Sequence, residues 1–169
     1  MTGLHRGPDR AALLACLASP AWADAVLATG PPYGADPVER RDAWLAAGDA
    51  AFAELPDAEV AAALAAHPRI GQSPAGAGAD AESSRREQAQ VSAAPDDVLA
   101  AIAAGNQAYE RRFDRVFLIR AAGRSPGEIL AELERRLGND DATEFGEARE
   151  QLRQITALRL ERLVTQEAG

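Results

Sequence analysis

Helix-start punctuation is the feature that most restricts this chain. Three times a small polar residue followed at once by proline leads into a helical pattern: Ser19-Pro20, Asp36-Pro37 and Ser125-Pro126. The polar side chain accepts an orphan amide of a first helical turn, and proline suits the first helical position because the N–H it lacks has no partner there. After Asp36-Pro37 the apolar residues Val38, Trp44, Leu45, Ala51, Phe52 and Leu55 fall roughly on one helical face. After Ser125-Pro126, Glu128 completes a capping box and Gly138 supplies a stop. Pro56 ends the second run and Asp57 caps "AEVAAALAA". A loop is expected from about residue 67 to 79, then a helix over "AESSRREQAQVSA". Pro95 opens "PDDVLAAIAAGNQAYERRF", and a long helix from Asp141 to about Thr165 carries Phe145, Leu152, Ile155, Leu158 and Leu163. "RVFLIRAAG" is the most strand-like stretch, but it is short and alone. The pattern predicts an all-α, single-domain helical bundle of about seven to eight helices over residues 1–169, with a flexible tail over 1–8.

Composition supports that reading. A chain of 169 residues suits one core. Hydrophobic residues make up 47% but aromatics only 5%, so helices packed closely on Ala and Leu are expected rather than a β-sandwich. The net charge of −8 argues against nucleic acid or an anionic membrane as partner, because both need a basic footprint. The apolar runs are too short and too interrupted by charge to span a membrane. "MTGLHRGPDR" lacks the apolar core of a secretory signal and "TQEAG" is not a peroxisomal address, so a cytoplasmic protein is expected.

Two absences bound the chemistry. Cys16 is the single cysteine, so no intrachain disulfide and no cysteine-rich metal site is expected, and within "AALLACLA" it reads as a small core residue. There is no lysine: all 18 basic residues are arginine, so a lysine Schiff base with substrate or pyridoxal phosphate is impossible. The two histidines, His5 and His67, are distant in sequence, which argues against zinc. "PAGAGAD", residues 74–80, has glycines but lacks the lysine and preceding strand of a phosphate loop. No cofactor and no metal are expected.

Three stretches carry candidate chemistry. In "LAAHPRIGQ", Pro68 disfavours helical geometry at His67, which places this histidine at or just past a helix C-terminus. The negative end of the helix dipole favours a charged imidazole that can act as an acid, or one that merely satisfies the last carbonyls. In "SSRREQ", Ser84, Glu87 and Gln88 stand at i, i+3 and i+4 and share one face, while Arg85 and Arg86 point elsewhere. That face is a polar site, or Ser84-x-x-Glu87 is a capping box. In "NQAYERRFDRVFLIRAAGRS", apolar residues give way abruptly to Arg120, Gly123 and Arg124. Its backbone amides can approach a flat polar ligand, or the segment is a buried connector with surface arginines.

Taken in order, "HPRIG", "S-x-x-E-Q" and "N-x-x-Y…F…F-x-I-x-A-x-G-x-S" resemble the OHCU decarboxylase family over nearly the whole chain, including the early "W…PPYG" and the later "EIL…L..RLGND". These enzymes act on 2-oxo-4-hydroxy-4-carboxy-5-ureidoimidazoline, formed late in urate breakdown. The resemblance implies that His67 is the catalytic acid, and the chemistry suits Glu87 as the catalytic partner that holds its imidazole charged and oriented. It implies substrate-binding roles for Pro68, for the run Ser84, Arg85, Arg86, Glu87 and Gln88, and for the backbone of Ile119, Arg120, Ala121, Ala122 and Gly123. It further implies a homodimer and a small-molecule substrate. The family often has Arg-Pro-Phe where this chain reads Pro31-Pro32-Tyr33, and glycine where Gln90 and Asp114 stand.

The implied chemistry suits a lysine-free protein. Loss of CO2 leaves an electron pair on carbon, and a ring C=N bond next to the carboxylated carbon accepts it, so the substrate carries its own electron sink. The anionic substrate needs local positive charge, which His67 with Arg120 or Arg69 can supply. Two rival functions stay open at this level: a non-catalytic helical interaction module of the same fold, and a lyase or hydrolase acting on a related ureido compound.

Overall fold

The computed structural model describes residues 7–31, 35–72 and 79–166, and among them there are nine helices and no strand. They are α1 (Arg10–Cys16), α2 (Pro20–Ala28), α3 (Pro37–Ala53), α4 (Asp57–Ala65), α5 (Ala79–Glu87), α6 (Ala89–Ser92), α7 (Asp96–Phe113), α8 (Pro126–Arg136) and α9 (Asp141–Gln166). The architecture is all-α, as the punctuation predicts. The count exceeds seven to eight for two local reasons. The short helix α1, capped by Asp9 on the Ala12 amide at 2.8 Å, was not anticipated. The helix expected over 81–93 breaks at Gln88, whose backbone leaves helical geometry (φ −96°, ψ 4°) between α5 and α6.

The sequence's start signals are used as written. Ser19 Oγ accepts from the Trp22 amide at 3.2 Å. Asp36 and Glu39 form one capping box, and Ser125 and Glu128 another. The chain divides into two compact units, residues 1–63 with 153–169, and residues 64–152. Both divisions fall inside helices, α4 and α9.

In the first unit Trp22 is fully buried and its indole N–H donates to Gly48 O at 2.9 Å. Cys16 is buried, as its apolar setting predicts. Gly7 and Pro8, inside the stretch read as a tail, are packed: a Cβ at Gly7 would lie 2.4 Å from Trp44 Cζ2, and Pro8 is buried. His5, Pro32, Tyr33 and most of "PAGAGAD" lie outside the described residues.

The second unit holds every residue singled out for chemistry except His5. Its apolar cluster joins Ile70, Val91, Ile102, Tyr109, Phe113, Phe117, Ile119, Ala121, Ile129 and Leu133. Beside it lies a buried polar group. The Glu144 carboxylate accepts from Arg136 Nε (2.9 Å) and Nη2 (2.5 Å), from the Tyr109 hydroxyl and from Asn139 Nδ2 (2.9 Å). Burial first, then the bond to Glu144, pushes the Tyr109 phenol well above its ordinary range.

Candidate active site

His67 stands just past the end of α4, half-buried, and its amide donates to Leu64 O at 3.1 Å. Pro68 forces this exit from the helix, as the sequence predicts. The chain then turns, with Gln72 N donating to Arg69 O at 3.2 Å and Gly71 at φ +81°, a left-handed conformation that favours glycine. One peptide group in this turn is held at both ends. The Ile70 carbonyl accepts from Asn106 Nδ2 at 2.9 Å, and the Gly71 N–H donates to Gln88 Oε1 at 3.0 Å. Asn106 and Gln88 are buried, so the two bonds work where water competes little. Arg69 turns outward and pairs in bidentate fashion with Glu110 on α7, at 2.5 and 2.8 Å. That hydrogen bond holds the Glu110 carboxyl below its usual range against the opposing effect of desolvation.

Ser84 lies well inside α5, so the capping-box alternative for Ser84-x-x-Glu87 does not hold. It is 2% exposed and Gln88 is 7% exposed, so the face they share is turned inward. Glu87 ends α5 half-buried. Arg85 and Arg86 are exposed, and Arg86 pairs along its own helix with Glu82 at 3.1 Å.

The third segment begins at Asp114, the left-handed cap of α7 (φ 52°, ψ 35°). From there residues 116–121 run without helix or strand, and Phe117, Leu118, Ile119 and Ala121 are buried. The Leu118 carbonyl accepts from Arg136 Nη1 at 2.7 Å, and the Arg120 N–H donates to Gln151 Oε1 at 2.9 Å. Arg124 N donates to Ala121 O at 3.0 Å, closing a turn whose third residue is Gly123 at φ +80°. A Cβ at Gly123 would meet nothing within 4 Å, so conformation rather than crowding calls for glycine. Arg120 Nε is buried without a hydrogen-bond partner.

The three stretches therefore meet. The turn after His67 is bonded to the residue after Glu87, and Ile70, Val91, Ile119 and Ala121 share one apolar cluster. The sequence profile of OHCU decarboxylases matches residues 4–161. The chain belongs to the OHCU decarboxylase family. The family takes its name from the decarboxylation of OHCU. The fold resembles a crystal structure of OHCU decarboxylase in the presence of (S)-allantoin, with a TM-score of 0.73, 24% identity, and coverage of 94% of this chain and 99% of that one. It also resembles a crystal structure of (S)-allantoin synthase, with a TM-score of 0.62, 21% identity, and coverage of 89% of this chain and 48% of that one. In sequence it is 29% identical over 136 residues to the uric acid degradation bifunctional protein TTL of Arabidopsis thaliana. The match covers 78% of this chain and 42% of that protein, so the chain spans less than half the length of this relative.

The departures from the OHCU decarboxylase pattern have a local meaning where they are described. Asp114 occupies a left-handed cap, a conformation in which glycine is at ease and aspartate is tolerated. Gln90 is exposed on α6. Sequence reasoning missed Asn106, Arg136 and Gln151. Asn106 had a readable signal: it lies on the α7 face of Ile102, Tyr109 and Phe113, and a polar residue at a core position demands a partner.

Proposed function

We propose that this chain converts 2-oxo-4-hydroxy-4-carboxy-5-ureidoimidazoline to (S)-allantoin and CO2 without metal or organic cofactor. His67 serves as the acid and Glu87 as its partner. The observation that carries the reading is the peptide between Ile70 and Gly71, gripped by Asn106 and Gln88. It anchors the turn after His67 to the residue after Glu87. In the reaction the bond to the carboxylate breaks and its electron pair moves toward the adjacent ring C=N, whose nitrogen takes a proton. The resulting enol gives up its hydroxyl proton while carbon gains one from a single face, so one proton is taken up for each CO2 released. Protonated His67 polarises the hydroxyl and manages that proton.

The substrate contacts fall to Pro68, to the segment from Ser84 through Arg85, Arg86 and Glu87 to Gln88, and to the backbone of Ile119 to Gly123. Arg69 is occupied by Glu110, whereas Arg120 Nε has no partner, which favours Arg120 as the source of positive charge for the anionic substrate. The chain acts as one cytoplasmic domain, as a homodimer, on a small molecule, with no nucleic-acid or membrane partner. The test supplies freshly generated substrate to chelator-dialysed protein and follows product by circular dichroism. One allantoin enantiomer, formed faster than spontaneous decay, is expected. A racemic product at the background rate, or activity restored only by a divalent ion, overturns the reading.

A further inference from the structure

The stretch from Val116 to Ala121 is itself neither helix nor strand, yet most of it is buried. Buried backbone needs partners. Two side chains from neighbouring helices provide them. Arg136, in the last turn of α8, donates to the Leu118 carbonyl at 2.7 Å, and Gln151, on α9, accepts from the Arg120 N–H at 2.9 Å. The two bonds fall on either side of Ile119.

Arg136 is itself immobilised. It is 1% exposed, bonded twice to Glu144, and its guanidinium lies 4.6 Å from the centroid of the Phe117 ring. Asn139 and the Tyr109 hydroxyl complete the carboxylate's shell. A buried ion pair adds little net stability over well-packed apolar side chains, so this group is better explained by the backbone it holds.

We propose that Arg136 and Gln151 are positioning residues for the decarboxylase: they set the peptide groups around Ile119 in the geometry that the ligand meets. This rests on the reading above that the backbone of 119–123 contacts substrate. Gln151 is the cleaner probe, because its role toward Arg120 N–H needs only an acceptor. Gln151→Met keeps the side-chain path and removes the oxygen, whereas Gln151→Glu keeps an acceptor. Gln151→Ala serves if the methionine variant does not fold.

The expected result is a rise in KM of about 5- to 30-fold in Gln151→Met, the range for one or two kcal/mol of lost interaction, with kcat changed far less. Gln151→Glu should return KM toward wild type. A merely structural role would lower the melting temperature of Gln151→Met and leave KM unchanged. In parallel, (S)-allantoin is titrated into isotope-labelled wild-type protein while the amide signals of 119–123 are followed. If they move and Gln151→Met keeps a normal KM, the segment's role stands and the positioning proposal falls. If they do not move, the reading of the segment falls and the proposal falls with it.

Discussion

Replacing Glu144 with glutamine should unfold much of what holds the second unit together. Glu144 is fully buried, and its neighbours Arg136, Tyr109 and Asn139 all present donors to it. Glutamine keeps one oxygen, which can still face Arg136 and Tyr109. Its other terminal atom becomes a donor and points at Asn139 Nδ2, which lies 2.9 Å from the carboxylate in the wild type. The guanidinium of Arg136 meanwhile keeps its charge, 1% exposed, with no counter-charge on Glu144. Breaking a buried pair from one side costs about 3–5 kcal/mol, against a total stability on the order of 5–15 kcal/mol. Urea unfolding of wild type and Glu144→Gln at neutral pH measures the difference. The double change Arg136→Met with Glu144→Leu removes both charges, so most of the lost stability should return. It also leaves the Leu118 carbonyl without its donor. The double variant should therefore fold well and still show a raised KM. A cost below about 1 kcal/mol for Glu144→Gln would place it with ordinary neutral hydrogen bonds and refute the buried-charge argument. A fully normal KM in the stable double variant would refute the link from Arg136 to the site.

Three further outcomes are expected. His67→Asn should lower kcat by roughly 10²–10⁴-fold, the usual scale for a general acid–base group, and a loss no larger than that of a control change at exposed Gln90 would remove His67 from catalysis. Ser84 is no helix cap, so Ser84→Ala should raise KM more than it lowers kcat, and unchanged Michaelis curves would show that its hydroxyl does not touch substrate. The folded pKa of Tyr109 is raised, so its contribution to stability is fully present below the unfolded phenol's value of about 10 and is lost as pH rises beyond it. Wild-type stability should thus fall across that alkaline range, and Tyr109→Phe should flatten the fall in a series of urea curves; an unchanged slope would mean that the buried phenol is not its source.

The sequence made legible whatever depends on neighbours a few residues apart. Ser19, Asp36 and Ser125 cap helices because a side chain reaches an amide two or three residues on, and no distant contact is needed to predict that. The exit of the chain at His67 follows in the same way from Pro68. The break at Gln88 was not legible, because the side chain there bonds Gly71, a residue 17 positions earlier. Nor was the burial of Arg136 legible. An arginine in the last turn of "AELERRLG" looks like a surface cation favoured by the helix dipole, and only Glu144 and the Leu118 carbonyl make its burial tolerable.

The strand-like stretch shows where pattern reading and physics part. Val116, Phe117, Leu118 and Ile119 carry the composition of a buried strand, and burial is what they receive. Composition asks only that the side chains be covered. It does not say what satisfies the backbone, and a neighbouring strand is merely the commonest answer. Here a helical bundle has no sheet edge to offer, so side chains from α8 and α9 take that place at Leu118 and Arg120. A sheet would have engaged the backbone along the whole stretch. Two side-chain bonds instead fix it at chosen points, ahead of the turn from Ala121 to Arg124, where a Cβ at Gly123 would meet nothing within 4 Å. An extended segment held by side chains can keep some of its peptide groups free in a way that a strand inside a sheet cannot, since the sheet's own ladder would already occupy them.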